Sequence, residues 1–485
     1  MQYTAVRAAI HVASIFALYL SLAMLIPAAV DLYYGHSDWR VFAIAAFFSS
    51  GLAGGIALAT QGAAPVLSSR FGFLLVNLLW FTACVVGTVP LLASSLELDI
   101  PDAFFESVSA VTSTGSTVLV GLDALPPGIL LWRSLLQWIG GLGVIALGLF
   151  ILPFLNVGGV SYFKIESTHI EDQPFDRFST FIRSLISIYA ALTFICATAY
   201  AVAGMGLFDS LNHAMSTLST GGFSTHDLSM GFYNDQPAIL WIATVFMFIG
   251  GLPFSILILF VVKGRLDALR DPQIKLYAAY VLLFILAGAI YLRLSTGRSL
   301  PDALTHSAFN FVSIITTTGF VTEDYGLWGP FAVAAAFLAM FLGGCSGSTA
   351  GGIKAYRFLI LFELLRNGLR KLVYPNSIQI VRYGDRPVED ELQRAVVLYF
   401  SAFLVVWAVI ILLLAATGLD LVSAVTSALT AITNVGPGLG TFVGPVDNFS
   451  GFNDSAKFIM AFGMLLGRLE ILSVLVIFTP IFWRR

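Results

Sequence analysis

The sequence predicts an all-α polytopic membrane protein: four helix–half-helix–helix repeats around a pseudo-fourfold pore, plus an extra N-terminal helix pair. Three observations predict it. The 485 residues are 58% hydrophobic and only 11% charged, against about a quarter charged in a soluble chain. Ten apolar stretches are long enough to cross a bilayer core about 30 Å thick. Between them a Ser/Thr-rich segment ending in glycine recurs four times.

The apolar stretches run near 8–30, 41–62, 72–94, 130–154, 181–204, 238–262, 276–294, 393–416 and 456–482, with a broken one across 329–368. The first follows a single basic residue, Arg7, and no small-residue cleavage site closes a short apolar core, so it reads as a retained helix. With both termini inside, ten crossings leave eighteen basic residues on inner segments. Five lie on outer ones: Arg40, Arg133, Arg293, Arg298 and Lys457. That asymmetry is the positive-inside pattern. Lys354 and Arg468 fall within apolar segments. Trp132, Trp241, Trp328 and Trp483 fall at span ends, as an interfacial belt predicts. Cys84, Cys196 and Cys345 form no CxxC and read as small buried hydrophobes, so neither a metal nor a disulfide is expected.

The repeated segments are SAVTSTG (109–115), STLSTG (216–221), SIITTTG (313–319) and TAITNVG (430–436). Aligned without gaps, they set Gly115, Gly221, Gly319 and Gly436 opposite one another. Upstream of each, Asp102, Asp209, Asp302 or Asp420 opens a helix-compatible run too short to cross a membrane. A full span precedes and follows each unit. The expected organisation is a two-helix module at 1–65, then repeats at 66–160, 161–265, 266–375 and 376–485.

Non-helical backbone at membrane depth is tolerated only where it lines a water- or ion-filled path. Glycine lets carbonyls turn toward an axis without a Cβ clash. Four such strands offer carbonyls, and Thr hydroxyls, in place of the water around a cation. The half-helix directs its negative C-terminal end at the same point. The residues expected to bind the ion are therefore Thr112, Ser113, Thr114 and Gly115; Ser219, Thr220 and Gly221; Thr316, Thr317, Thr318 and Gly319; and Thr433, Asn434, Val435 and Gly436. The fourth stretch, running into Pro437, has fewer hydroxyls, so the ring is uneven and its selection for one ion modest.

Residues 343–352, Gly343, Gly344, Cys345, Ser346, Gly347, Ser348, Thr349, Ala350, Gly351 and Gly352, contain no large side chain. Two readings stay open. Gly343, Gly347 and Gly351 make a small-residue face for helix packing, or the segment is an unwound loop that constricts the path under the filter. Arg468 lies amid apolar residues, and an arginine at that depth usually faces a protein cavity. It either holds a structural contact with a neighbouring helix or acts on a cation path. Glu470, two residues on, lies on another face and does not pair with it along the helix. His213, His306 and His226 read as packing and hydrogen-bonding residues. No phosphate-binding loop, nucleotide fingerprint or catalytic triad is present, which excludes the common enzyme classes.

These stretches, with WIGGLGVI at 138–145, GGFSTHD at 221–227, GGCSGSTAGGIK at 343–354 and GRLEI at 467–471, resemble the TrkH/TrkG/KtrB superfamily of potassium-uptake subunits along almost the whole chain. The extra N-terminal helix pair is similar to the TrkH branch. The resemblance implies four M1–pore helix–M2 repeats, a homodimer with one pore per protomer, and a location in the bacterial inner membrane with cytoplasmic termini. It further implies K⁺ as the transported ion at the filter residues, and no covalent cofactor. The loop Gly343–Gly352 would gate below the filter with Arg468 beside it, under control of a cytosolic TrkA-like RCK ring that binds nucleotide. Contact is expected with membrane lipid and none with nucleic acid. Glycine in all four filter positions goes, in that family, with K⁺ preference. The competing expectation is a K⁺ or Na⁺ symporter coupled to H⁺, with Glu470 as the one acidic proton carrier.

Overall fold

The computed structural model describes residues 2–62, 68–146, 148, 174–264, 269–440 and 442–483. The inner end of the span placed at 130–154, the repeat boundaries near 65, 160 and 265, and Lys164, Arg265, Arg484 and Arg485 lie outside the described residues.

The N-terminal pair consists of α1 (Gln2–Ala23) running through one turn into α2 (Leu25–Tyr34), then α3 (Trp39–Ala59). Helix α1 packs on α3 and on α4 (Ser69–Leu92), the first helix of repeat 1. Two buried aspartates fasten this pair to the repeat: Asp31 accepts from the Gly128 N–H at 2.6 Å, and Asp38 from the Ser95 hydroxyl at 2.8 Å.

Repeat 1 continues with the half-helix α5 (Ile100–Val111) and the second helix α6 (Pro127–Ala146). Repeat 2 comprises α7 (Pro174–Val202), the half-helix α8 (Leu207–Leu218), α9 (Pro237–Gly250) and α10 (Phe254–Lys263). In repeat 3, α11 (Pro272–Thr296) leads to the half-helix α12 (Leu300–Ile315), α13 (Pro330–Ala339) and α14 (Ala355–Val373). Repeat 4 has α15 (Asp390–Ala416), the half-helix α16 (Leu421–Thr433), α17 (Asp454–Arg468) and α18 (Ile471–Leu475). The half-helices hold 12, 12, 16 and 13 residues. Asp102, Asp209 and Asp302 lie in their first turns, and Asp420 caps α16 by accepting from the Ser423 N–H at 3.1 Å.

Each half-helix packs against the first helix of its own repeat. Three of the four junctions between neighbouring repeats bring a second helix onto the next half-helix: α6 onto α8, α9 onto α12, and α17 onto α5. The junction of α13 with α16 is looser, with an apolar crevice of about 1140 Å³ among Val333, Phe337, Leu421 and Val425.

The second helices differ from expectation. Two stretches taken as continuous spans are bent, by 100° between Gly250 and Phe254 and by 111° between Arg468 and Ile471. Gly251 and Pro253 break the first, while Glu470 breaks the second with a left-handed φ of 63°. Arg468 therefore ends a helix instead of lying within one. Residues 343–352 form no helical small-residue face; they are a loop between α13 and α14. Trp132 and Trp328 do not present their rings outward as belt residues do. Both are buried, with their indole N–H groups donating to Gly87 O and to the Glu323 carboxylate. Arg133 and Lys457 likewise carry no free outer charge, being buried against Glu106 and Asp102.

Candidate ion pathway

Three half-helices end in the same way, and the fourth keeps the longer of the two bonds, Val435 N–H to Thr430 O at 3.2 Å. Beyond α5, the Thr114 N–H reaches back to Ser109 O at 2.9 Å and the Ser113 N–H to Ala110 O at 3.0 Å. Repeats 2 and 3 reproduce both bonds, Gly221 to Ser216 O and Thr220 to Thr217 O, then Thr318 to Ser313 O and Thr317 to Ile314 O. This is the Schellman ending of a helix, whose C′ residue adopts the left-handed conformation and is usually glycine. Here that residue is Ser113, Thr220, Thr317 or Asn434, with φ between 51° and 57°. A β-branched residue there costs about 1–3 kcal/mol, strain of the kind that collects at functional sites. Two residues further on comes a glycine of positive φ: Gly115, Gly222, Gly319 and Gly436.

That geometry corrects the register of the second stretch. The ungapped alignment set Gly221 opposite Gly115, but the backbone sets Gly222 there and Gly221 opposite Thr114. Both Gly222 and Gly115 have positive φ, 79° and 85°, while Gly221 does not.

The four glycines close a ring. A Cβ on Gly115 would strike Gly221 O, one on Gly222 Thr318 O, one on Gly319 Val435 O, and one on Gly436 Thr114 O. Each glycine thus abuts the carbonyl just before the glycine of the next repeat, and the fourth returns to the first. All four line one cavity of about 80 Å³. Among the described residues, no hydrogen bond ends on the carbonyls of Ser113, Thr220, Thr317 or Asn434. Backbone carbonyls buried without a donor are rare, because desolvating them is costly.

Side chains outside the Ser/Thr-Gly stretches hold the ring. Gln137 on α6 donates to Gly221 O at 2.6 Å and accepts from the Phe223 N–H at 3.2 Å and from the Ser216 hydroxyl. One half-helix position braces the outer end of three strands. Glu106 accepts from the Val118 N–H at 3.0 Å, His213 meets the Ser224 hydroxyl at 3.0 Å, and Asn310 donates to Thr322 Oγ1 at 2.7 Å. Glu106 is fully buried and pairs with Arg133 at 2.7 Å. Arg133 also donates to Ser224 O at 3.3 Å and lies 4.0 Å over the Phe223 ring. The sequence reading missed Gln137, Glu106 and the pairing of Arg133. Its available signal was two strongly polar residues, four apart, on an otherwise apolar helix.

Below the ring lies the loop. The Gly351 N–H donates to Thr317 Oγ1 at 2.6 Å, and the Gly352 N–H to Thr433 O at 2.8 Å. At the break after α9, Gly251 O accepts from the Cys345 N–H at 2.9 Å, and Gly250 O from the Thr349 hydroxyl at 2.9 Å. Arg468 donates from Nη1 to Thr349 O at 2.8 Å. Gly343, Gly344, Ser346, Gly347, Ser348 and Ala350 complete the loop, with Gly347 O accepting from the Phe254 N–H at 2.9 Å. Loop residues, filter strands and Arg468 are therefore brought together. Glu470 is not joined to Arg468 and accepts from Arg357 Nη2 at 2.5 Å.

With this geometry in view, the chain can be placed among known proteins. It belongs to the TrkH family of cation transport proteins, whose pattern it matches over residues 40–286 and 274–484. The chain is 44% identical over 413 residues to the Trk system potassium uptake protein TrkI of Halomonas elongata, covering 85% of this chain and 84% of the relative. It is 37% identical over 489 residues to TrkH of Escherichia coli K12, covering 99% of both. The crystal structure of the potassium transporter TrkH from Vibrio parahaemolyticus superposes with a TM-score of 0.92 at 36% identity and full coverage of both chains. The protein is thus a multi-pass membrane member of a transporter family, not an enzyme.

Proposed function

We propose that this chain is a K⁺ uptake pore of the bacterial inner membrane, passing ions inward down their electrochemical gradient. A unit charge crossing 100 mV gains about 2.3 kcal/mol, so no further driving reaction is needed. The ring of four glycine–carbonyl contacts carries the reading, because it sets four strands of like backbone around one axis. The carbonyls and hydroxyls of residues 112–115, 219–222, 316–319 and 433–436 act as the filter. The loop Gly343–Gly352 acts as a gate, held shut by Arg468, Thr317 and Thr433. Two such chains pair, their termini are cytoplasmic, and a nucleotide-binding ring of the TrkA type sets the gate from inside. The names of the relatives, all components of Trk potassium uptake systems, support the choice of ion. Glu470, the one candidate proton carrier, is already engaged by Arg357, which favours a pore over a proton-coupled carrier.

The test is ⁸⁶Rb⁺ flux into liposomes with and without a pH gradient. Uptake driven by membrane potential and indifferent to the pH gradient is expected; uptake that requires the pH gradient would overturn the pore. Arg468→Ala is expected to raise flux in the absence of the cytosolic partner, and unchanged flux would remove the gate role.

A further inference from the structure

Beneath the loop, on the side away from the ring, lies a second, small cavity of about 30 Å³. Lys354, Arg468, Glu470, Tyr399 and the loop serines Ser346 and Ser348 line it. Its charges do not balance. Among the described residues Glu470 is the single carboxylate on its wall, and Arg357 already engages that group at 2.5 Å. The Arg357 guanidinium in turn stacks 3.6 Å over the Tyr399 ring. Among the described residues, Arg468 has no carboxylate partner and Lys354 has only the already engaged Glu470.

Arg468 is 4% exposed and spends only Nη1, on Thr349 O. Among the described residues its Nε and Nη2 have no hydrogen-bond partner. Lys354 is the N-cap residue of the 19-residue helix α14, which has no side-chain cap, and its ammonium donates to Ala350 O. Three positive features therefore converge: an unengaged guanidinium edge, an ammonium with donors to spare, and the positive end of a helix.

We propose that this cavity binds one small monovalent anion of the chloride class, between Arg468 and the Lys354 ammonium. A cation is disfavoured by two lining positive charges, and a multiply charged anion by Glu470 on the same wall. A weakly hydrated halide also loses less on leaving water than phosphate does. The anion would complete the coordination of Arg468 and thereby fix the residue that holds Thr349. The proposal does not require the loop to be a gate, so it stands or falls separately from the pore.

The full chain, purified at constant ionic strength and constant K⁺, is heated in chloride, bromide or gluconate. Halide is expected to raise the midpoint saturably, by at least about 2 °C, as a ligand specific to the folded state does. Arg468→Gln and Lys354→Gln are expected to abolish that increment, while Arg366→Gln, on an exposed side chain, keeps it. A crystal structure in bromide is expected to give an anomalous peak between Arg468 and Lys354. Equal midpoints in chloride and gluconate, or an increment that survives both variants, would overturn the site. So would water alone at that position in the bromide structure, a result that decides the matter even if the variants do not fold.

Discussion

In the first repeat, Glu106 stands three residues before Ser109 and braces the outer end of its strand through Thr117, the Val118 N–H and Arg133. In the fourth, Ser427 occupies the equivalent place before Thr430, and its hydroxyl has no partner among the described residues. Thr426 does part of that work instead, donating to Leu439 O at 2.7 Å and accepting from the Leu439 N–H at 3.1 Å. The fourth strand is held from other directions. Asn434 donates to Thr114 Oγ1 at 2.9 Å and to Met464 O at 3.0 Å, and Thr433 O receives the loop at Gly352. One backbone is thus maintained by a charged brace facing outward on one side and by the loop and a neighbouring strand on another. Strain or motion in the loop would reach the ring through repeats 3 and 4, at Thr317 and Thr433, and leave repeat 1 as the fixed side.

The sharpest break of that comparison is to remove each brace. Glu106→Ala strands Arg133, which is 1% exposed, as an uncompensated buried charge. A loss of about 3–5 kcal/mol is expected. Ser427→Ala removes a hydroxyl with no partner among the described residues, and a change within about 0.5 kcal/mol is expected. Chemical unfolding of both variants measures the difference; similar losses would show that the two sides are not held differently.

The second effect concerns register. Gly222→Ala forces a Cβ onto Thr318 O at a φ of 79°, so the carbonyl of the next strand must move. Gly221→Ala meets the Gln137 amide instead, a side chain that can yield. Discrimination of K⁺ over Na⁺ in uptake is expected to fall about tenfold, or about 1.4 kcal/mol, for Gly222→Ala and less for Gly221→Ala. The reverse order would restore the ungapped alignment. Asn434→Ala comes next. It removes two hydrogen bonds of about 0.5–1.5 kcal/mol each, and a loss of about 1–3 kcal/mol is expected in the same unfolding assay.

Much of this was legible beforehand, and the residues show why. The half-helices were readable because Asp102, Asp209, Asp302 and Asp420 open runs too short to span. The loop at 343–352 was readable as an anomaly, because ten small residues fit no lipid-facing helix, although its helical alternative could be dismissed only with coordinates. The register of repeat 2 was not, since Gly221 and Gly222 offer two ungapped alignments and only φ separates them. The bend at Gly250–Pro253 carried a breaker signal, Gly-Gly-Leu-Pro, that hydropathy overrode. The bend at Glu470 carried none. Glu106 and Arg133 stand 27 residues apart and meet only once α5 and α6 pack; a pair of that kind has no local pattern to betray it.

The smallest effect lies outside the spans, where the first two repeats meet above the ring. His226 contacts the Asp123 carboxylate through Nδ1, lies 3.5 Å from Asp209 through Nε2, and stacks 3.7 Å from the Phe232 ring. Tyr233, 3.3 Å away, and His213, with its ring centroid at 6.3 Å, also face it, and Arg133, Asp227 and Asp447 line the same cavity. Burial disfavours the charged ring, but the Asp209 and Asp123 carboxylates outweigh it and raise His226 above its ordinary value. A raised folded value means the contribution is complete below about pH 6.5 and is lost as pH rises through the folded value. Asp123 and Asp209 are lowered by the same contacts, so the carboxylates stay charged until the solution is more acidic than usual for such groups. Asp123 is half exposed, and solvent screening holds the pair to about 0.5 kcal/mol. His226→Gln is therefore expected to lower stability slightly in mild acid and to leave it unchanged at alkaline pH. Thermal midpoints across that range measure it, and a stability–pH curve for the variant parallel to the parent's would show that His226 is not a charged tie between the two repeats.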